Sequence, residues 1–341
     1  MILRRKLLLT AVGAALAIGM IAMSPAAHAQ AGKTFVMKLS TATINDTQHE
    51  WLKRFAAAVE KDSGGRIKGE IYPGSQLGSI PRQIEGVQFG SIQAWIGPPE
   101  FLVGVDERFE VLSAPGLVSG TDQAVRVMFD PPVHDMVLGL GANKGLAGIG
   151  IVPYGPSSVA ARRPLHQLAD FKGAKIRVLA SPFQLEMIKR MDASPIAMTL
   201  ADVLPALQQG AIDAALSSLP VYTTMQYQDA ARYVVNIDQP YISSIIEMSR
   251  KWLDGLPPDL QKIVRDDAES VSRELVPFVK DFYAKQQQLW TEHGGELARL
   301  PEADNAALTA KISSIGFDLS KSKPDLNKAV ATVFESAKRN K

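Results

Sequence analysis

No cysteine occurs anywhere in the 341 residues. Disulfide frameworks, thiolate metal sites, lipid-anchored cysteine and a cysteine nucleophile are excluded together. Histidine is nearly as scarce, at 5 residues, and none of His28, His49, His134, His166 and His293 has a partner at metal-ligand spacing. An excess of either charge is also lacking, with 37 basic and 35 acidic residues. A chain so close to neutral has no electrostatic footprint for nucleic acid or an anionic membrane surface. No nucleophile elbow is present, because Gly74-Ser75-Gln76-Leu77-Gly78 has the wrong spacing. The glycines Gly139, Gly141, Gly145 and Gly148 read as a turn, without the acidic residue of a dinucleotide fingerprint. No cofactor or metal is expected, and scattered carboxylates single out no acid/base pair.

One long apolar run exists, and only one. Arg4, Arg5 and Lys6 precede Leu7–Met23, and Ala27-His28-Ala29 follows. A positive start, an apolar stretch and a small-x-small site are the layout of a secretory signal peptide, cleaved after Ala29. The run is shorter than the roughly 20 apolar residues that a spanning helix needs. Its removal leaves 34 basic against 35 acidic residues, so the exported part stays near neutral.

The remainder alternates between strand and helix patterns. Phe35–Leu39 reads as a strand, followed by a helix capped by Asp46 or Thr47 and ended by Gly64-Gly65. Ile67–Tyr72, Ser91–Ile96, Lys175–Leu179, Ser194–Met198 and Ala211–Leu216 read as further strands, with helices between them. Tyr233–Val235 and Ser243–Met248 read as two separate strand pieces, and Gly148–Val152 as another. Asp259–His293 is a long amphipathic helix in which Pro277 predicts a kink or a split. This order implies an α/β class built from βαβ units.

Val87–Ile96 (VQFGSIQAWI) and Leu207–Leu216 (LQQGAIDAAL) share Gln, Gly, Ile and Ala at matching positions. The match is either chance within a common αβ turn or the trace of two similar lobes. In the second reading, ligands bind outside the carboxyl ends of strands, which places Trp95, Gly97, Ser217 and Ser218 on the rim of one cleft. Arg177 lies within an apolar strand and shares a face with Lys175 and Leu179. The pattern leaves it either a strand-edge surface residue or a guanidinium whose planar fork clasps a carboxylate.

Four stretches carry a resemblance. They are Tyr72–Gly78 (YPGSQLG), the D-x-K-G-x-K-x-R pattern from Asp170 to Arg177, Ala193-Ser194-Pro195 with Met198, and Asp202–Asp213. In this order and spacing the chain resembles the DctP-type solute receptors of tripartite ATP-independent periplasmic (TRAP) transporters, over essentially its whole exported length. The resemblance implies a periplasmic binding-protein fold of two α/β lobes with an interdomain cleft and long C-terminal helices. It implies a signal peptide at 1–29, lobe I at 30–151 completed by part of 240–300, lobe II at 152–239, and C-terminal helices at 258–341 packing across the lobes. It also implies a periplasmic receptor, not an enzyme, that closes on a small organic acid and delivers it to membrane permease subunits.

In that reading Arg177 pairs with the ligand carboxylate, with Ser157, Ser217 and Tyr222 nearby. Trp95 and Gln76 approach from the other lobe, and Trp95 and Phe183 add an aromatic wall. Ser157 and Ser217 stand where many relatives carry an arginine and an asparagine. One fewer cation suits one carboxylate rather than two, since an unpaired buried charge is costly. The ligand is therefore expected to be a monocarboxylate with an apolar or aromatic body. A monomer is expected, with a dimer left open. A receptor feeding a membrane signalling protein and an exported hydrolase remain the alternatives.

Overall fold

The computed structural model describes residues 34–341, and the leader proposed above lies outside them. Nine strands form one mixed sheet: β1 (Phe35–Ser40), β2 (Ile67–Tyr72), β3 (Ala94–Gly97), β4 (Leu146–Ala161), β5 (Lys175–Val178), β6 (Ser194–Ala197), β7 (Ala214–Ser218), β8 (Tyr233–Ser249) and β9 (Glu296–Arg299). Their order is β2-β1-β3-β8-β4-β7-β5-β6, with β9 on the N-terminal part of β8. The order is a palindrome in kind. Two parallel three-stranded blocks, β2-β1-β3 and β6-β5-β7, flank two long antiparallel strands.

Helices cover both faces. They are α1 (Thr47–Asp62), α2 (Ile80–Phe89), α3 (Thr121–Met128), α4 (Pro131–Leu138), α5 (Pro182–Arg190), α6 (Leu200–Gln209), α7 (Leu219–Thr224), α8 (Arg250–Asp254), α9 (Pro258–Glu292), α10 (Glu302–Ile312), α11 (Ile315–Ser320) and α12 (Pro324–Arg339). Asp46 caps α1, its carboxylate accepting from the His49 amide at 3.0 Å. Gly90 and Gly210 end α2 and α6 in the left-handed conformation, at φ 86° and 73°. The two echoed segments thus share a local structure: helix, left-handed glycine, strand.

Two expectations are corrected. The pieces at 148–152, 233–235 and 243–248 belong to two strands of 16 and 17 residues, β4 and β8. Their pairing survives Pro153, Gly155 and Pro156 because bulges between Gly148 and Gly150, Pro153 and Gly155, and Pro156 and Ser158 absorb the lost register. Likewise Pro277 does not split α9, which is one helix across it. A proline inside a helix costs about 3 kcal/mol. Val271, Leu275 and Val279 are buried on either side of it, and each such side chain contributes about 1.5–3 kcal/mol. The Trp51 indole also donates to Ser272 Oγ at 3.0 Å, tying α1 to α9.

The first two-thirds of α9 packs with Met37, Leu39, Trp51, Phe55 and Ile246 over the β1-β2-β3 block. Trp290, at its end, packs with Val203, Leu207, Tyr222 and Tyr227 over the β7 side. The last three helices also reach both sides. Arg190 of α5 bonds Ser314 and Asp318, whereas Gln123 of α3 bonds the Ala337 carbonyl. No helix of the described residues is long and apolar enough to cross a membrane.

Candidate functional site

The sheet registers place the site. Gly97, at the carboxyl end of β3, lies opposite Ile245, which lies opposite Ile151 of β4. Ser218, at the carboxyl end of β7, lies opposite Ser157 of β4. The two strand blocks therefore run towards each other and stop facing the Ile151–Ser157 stretch. A small cavity of about 30 Å³ occupies this meeting point. One side is built by Ala42 and Thr43 after β1, Trp95 to Pro98 from β3, and Phe101. The other side is built by Arg177 and Leu179 of β5 and by Ser217 and Val221 beyond β7. Tyr154 and Ile242, from the crossing strands, and Gln48, Ile80 and Leu200, from helices, complete it.

Arg177 is the only charged residue in this lining, and it is 2% exposed. Its Nε donates to the Met198 carbonyl at 3.0 Å and one terminal nitrogen donates to the Leu216 carbonyl at 3.1 Å. These two bonds point the fork and leave three of five N–H groups unused. No carboxylate of the described residues is within ion-pair distance. Burial lowers its pKa, opposed by Tyr227, Tyr222 and Glu100 nearby, and a guanidinium stays charged through such a shift. A buried cation without a counter-ion carries a penalty of several kcal/mol. An anion in the cavity would offset that penalty.

Trp95 forms the facing wall. Its indole lies over Gly97, where an added Cβ would come 2.3 Å from Cζ2. Successive odd positions of a strand share a face, so Gly97 is what lets the ring fold along its own strand. The remaining polar lining is tied internally. Gln48 Oε1 accepts from Thr41 and Thr43 at 2.6 and 3.2 Å, and its amide donates to Ser244 Oγ at 3.0 Å. The Tyr154 hydroxyl donates to Asp46 at 2.8 Å.

Of the residues named from sequence, Arg177, Trp95, Gly97 and Ser217 meet at this cavity. The others do not line it. Gln76 is exposed on the turn after β2. Phe183 is buried in the core, and its amide donates to Glu110 at 3.1 Å. The Tyr222 hydroxyl is 2.7 and 2.8 Å from the Ser158 and Ala215 carbonyls, and its ring packs on Tyr227 and Trp290. Ser157 is buried in β4 with an unpartnered hydroxyl.

Sequence reading also missed two acids. Glu100 Oε1 accepts from Ser113 Oγ at 2.5 Å and from the Gln184 amide at 3.0 Å. Glu110 Oε2 accepts from Ser181 Oγ at 3.0 Å and the Phe183 amide at 3.1 Å. Both come from the chain after β3 and grip the first turn of α5, which follows Arg177. Burial pushes each carboxyl up to about 7. The one signal in the sequence was acids embedded in apolar surroundings (PPEFL and FEVL).

The sequence profile described as "DctP: Bacterial extracellular solute-binding protein, family 7" matches residues 39–317. The chain belongs to this family. Among DctP-family relatives, the 2,3-diketo-L-gulonate-binding periplasmic protein of Escherichia coli is 26% identical over 71% of this chain and 73% of its own length. The C4-dicarboxylate-binding periplasmic protein of Rhodobacter capsulatus is 26% identical over 72% of this chain and 74% of its own. The fold matches a TRAP periplasmic solute-binding protein of Desulfovibrio salexigens with bound orotic acid, at a TM-score of 0.86. There the identity is 21%, covering 90% of this chain and all of that one.

Proposed function

We propose that this DctP-family chain is a periplasmic receptor that closes its two lobes on a small organic acid with one carboxylate and an apolar body. It then delivers that acid to the membrane subunits of a TRAP permease, with no bond made or broken. The carrying observation is Arg177: a lone buried cation with unused donors, in a cavity otherwise mostly apolar. The carboxylate takes the free edge of its fork as a charge-assisted, bidentate pair. Trp95 supplies a wall from the opposite lobe and Ser217 a hydroxyl beside the arginine. A ligand touching both lobes stabilises the closed state by its differential affinity. The ligands named for the relatives, a diketo sugar acid, C4-dicarboxylates and orotic acid, are all organic acids.

We take the lobes as 30–151 with part of 240–300, and 152–239, with residues 258–341 packing across both. In support, β4 stays on β8 throughout and gains β7 on its other edge only from Ser157 onward. Export follows from the leader ending at Ala29. The test is calorimetry of the exported chain against a panel of mono- and dicarboxylic acids, repeated with Arg177→Ala. Tight binding of a monocarboxylate that the variant loses is expected. Binding unchanged in Arg177→Ala, or confined to dicarboxylates, overturns the reading.

A further inference from the structure

We propose that the indole N–H of Trp95 is a hydrogen-bond donor to the ligand, and that the ligand therefore carries a proton-free acceptor on its body besides its carboxylate. A ketone, an ether or a ring nitrogen meets that description. The inference rests on Arg177 holding the carboxylate, as proposed above, and adds a second recognition point.

Trp95 is 1% exposed, and its Nε1 is fully buried without a hydrogen-bond partner among the described residues. An indole nitrogen can only donate, and a donor left unpaired in the interior is costly. The ring edge next to that nitrogen lies against Gly97, and both residues line the cavity. Glu247 sits opposite Trp95 in the β3–β8 register and is also buried, yet no hydrogen bond joins them. Of the lining's acceptors, Gln48 Oε1 is engaged by two threonines. Behind the lining Asp46 is engaged by Tyr154 and the His49 amide, while Glu100 Oε2 and Glu247 Oε2 have no partner among the described residues but do not line the cavity. The unfilled polar capacity is thus mostly donors, those of Arg177 and Trp95, with the Ser217 hydroxyl able to join them. A polyhydroxy acid brings donors of its own that such a lining leaves unmatched. An acid whose body offers a lone pair and no O–H fits it.

The experiment compares matched acids on the exported chain by calorimetry: pentanoate against 2-oxopentanoate and 4-oxopentanoate, benzoate against pyridine-3-carboxylate, and gluconate as the polyol. At least one acceptor-bearing acid is expected to bind tenfold or more tightly than its match and than gluconate. In Trp95→Phe, which keeps the wall and loses the N–H, that preference falls to within about twofold. In the wild-type chain the indole N–H proton resonance of Trp95 shifts downfield with the favoured acid and not with its match. This second readout does not depend on the variant folding. A preference that survives Trp95→Phe, an unmoved indole resonance, or no advantage for any acceptor-bearing acid overturns the inference. Arg177→Ala separates the two readings. If it abolishes binding of both members of a pair while Trp95→Phe leaves their ratio intact, only the indole assignment fails. If it leaves binding of both unchanged, the carboxylate assignment fails.

Discussion

The two halves of the sheet have the same layout and opposite contents. In one, β1 lies beside β3 with Leu39 opposite Ala94 and Ser40 opposite Trp95. In the other, β5 lies beside β7 with Ile176 opposite Ala214 and Arg177 opposite Ala215. By the echo of helix, glycine and strand, Ser40 corresponds to Arg177 and Trp95 to Ala215. Each pair holds one large side chain and one small one, but on different strands. Each block thus leaves room in the cavity wall for its one large group. One side spends that room on a cation and the other on an aromatic ring. The difference shows how a repeated βαβ layout yields a cleft with a charged wall and an apolar wall.

The strongest way to break this asymmetry is to remove the cation. Arg177→Ala should weaken carboxylate binding by about 2–5 kcal/mol, read by calorimetry. The ligand-free protein should melt no lower than wild type, since the cation was buried without a counter-ion. Arg177→Lys should recover only part of the affinity, because an ammonium lacks the planar fork. Gly97→Ala tests the aromatic side. The new methyl has no space beside the indole, so the ring must tilt into the cavity. A stability loss of about 1–3 kcal/mol is expected, together with weaker binding. The corresponding position in the other half is Ser217, and Ser217→Ala should change stability far less.

The acids that join the halves sharpen the comparison through pH. Glu100 and Glu110 hold their protons up to about 7 in the folded chain, above the ordinary carboxyl value of 4.5. Between these values the folded state binds more protons than the unfolded one, so stability falls as pH rises through this window and levels off above it. The groups facing them are Ser113, Gln184, Arg177, Ser181, the Phe183 amide and Lys323, together with each other. Asp46, Glu247 and Asp267 are also raised, so they slope the same way. The double variant Glu100→Gln/Glu110→Gln should therefore flatten, without abolishing, the decline in Tm between pH 5 and 7.5. The part removed is on the order of 5 kcal/mol for the pair at most. An unchanged slope would show that the grip on α5 does not titrate. The smallest effect is expected from Tyr222→Phe. It strips a hydroxyl from two buried carbonyls and should cost about 1 kcal/mol in a denaturant melt, with binding within about twofold of wild type.

Much of the fold was legible in short windows. The Asp46 cap, the stops at Gly90 and Gly210, the echo and the strand carrying Arg177 all depend on residues within a turn or two of each other. At the site, Trp95, Arg177 and Ser217 were legible because they sit at strand carboxyl ends, where this architecture binds ligands. Gln76, Phe183, Tyr222 and Ser157 came from the family resemblance and from their places near the right strands. Chemical type does not say which way a side chain faces once a strand has ended or a bulge has shifted its register.

Amino-acid order alone therefore settled the α/β class, the positions of most elements, their caps and the arginine at the end of its strand, since these follow from contacts between near neighbours. Only the folded chain decided that separate strand pieces fuse into β4 and β8, that α9 runs on through Pro277, and that Glu110 and Glu100 grip Ser181 and Gln184, which lie 71 and 84 positions away. Such pairings come from sheet register and burial. Both are properties of the assembled core, and neither leaves a periodic mark on the sequence.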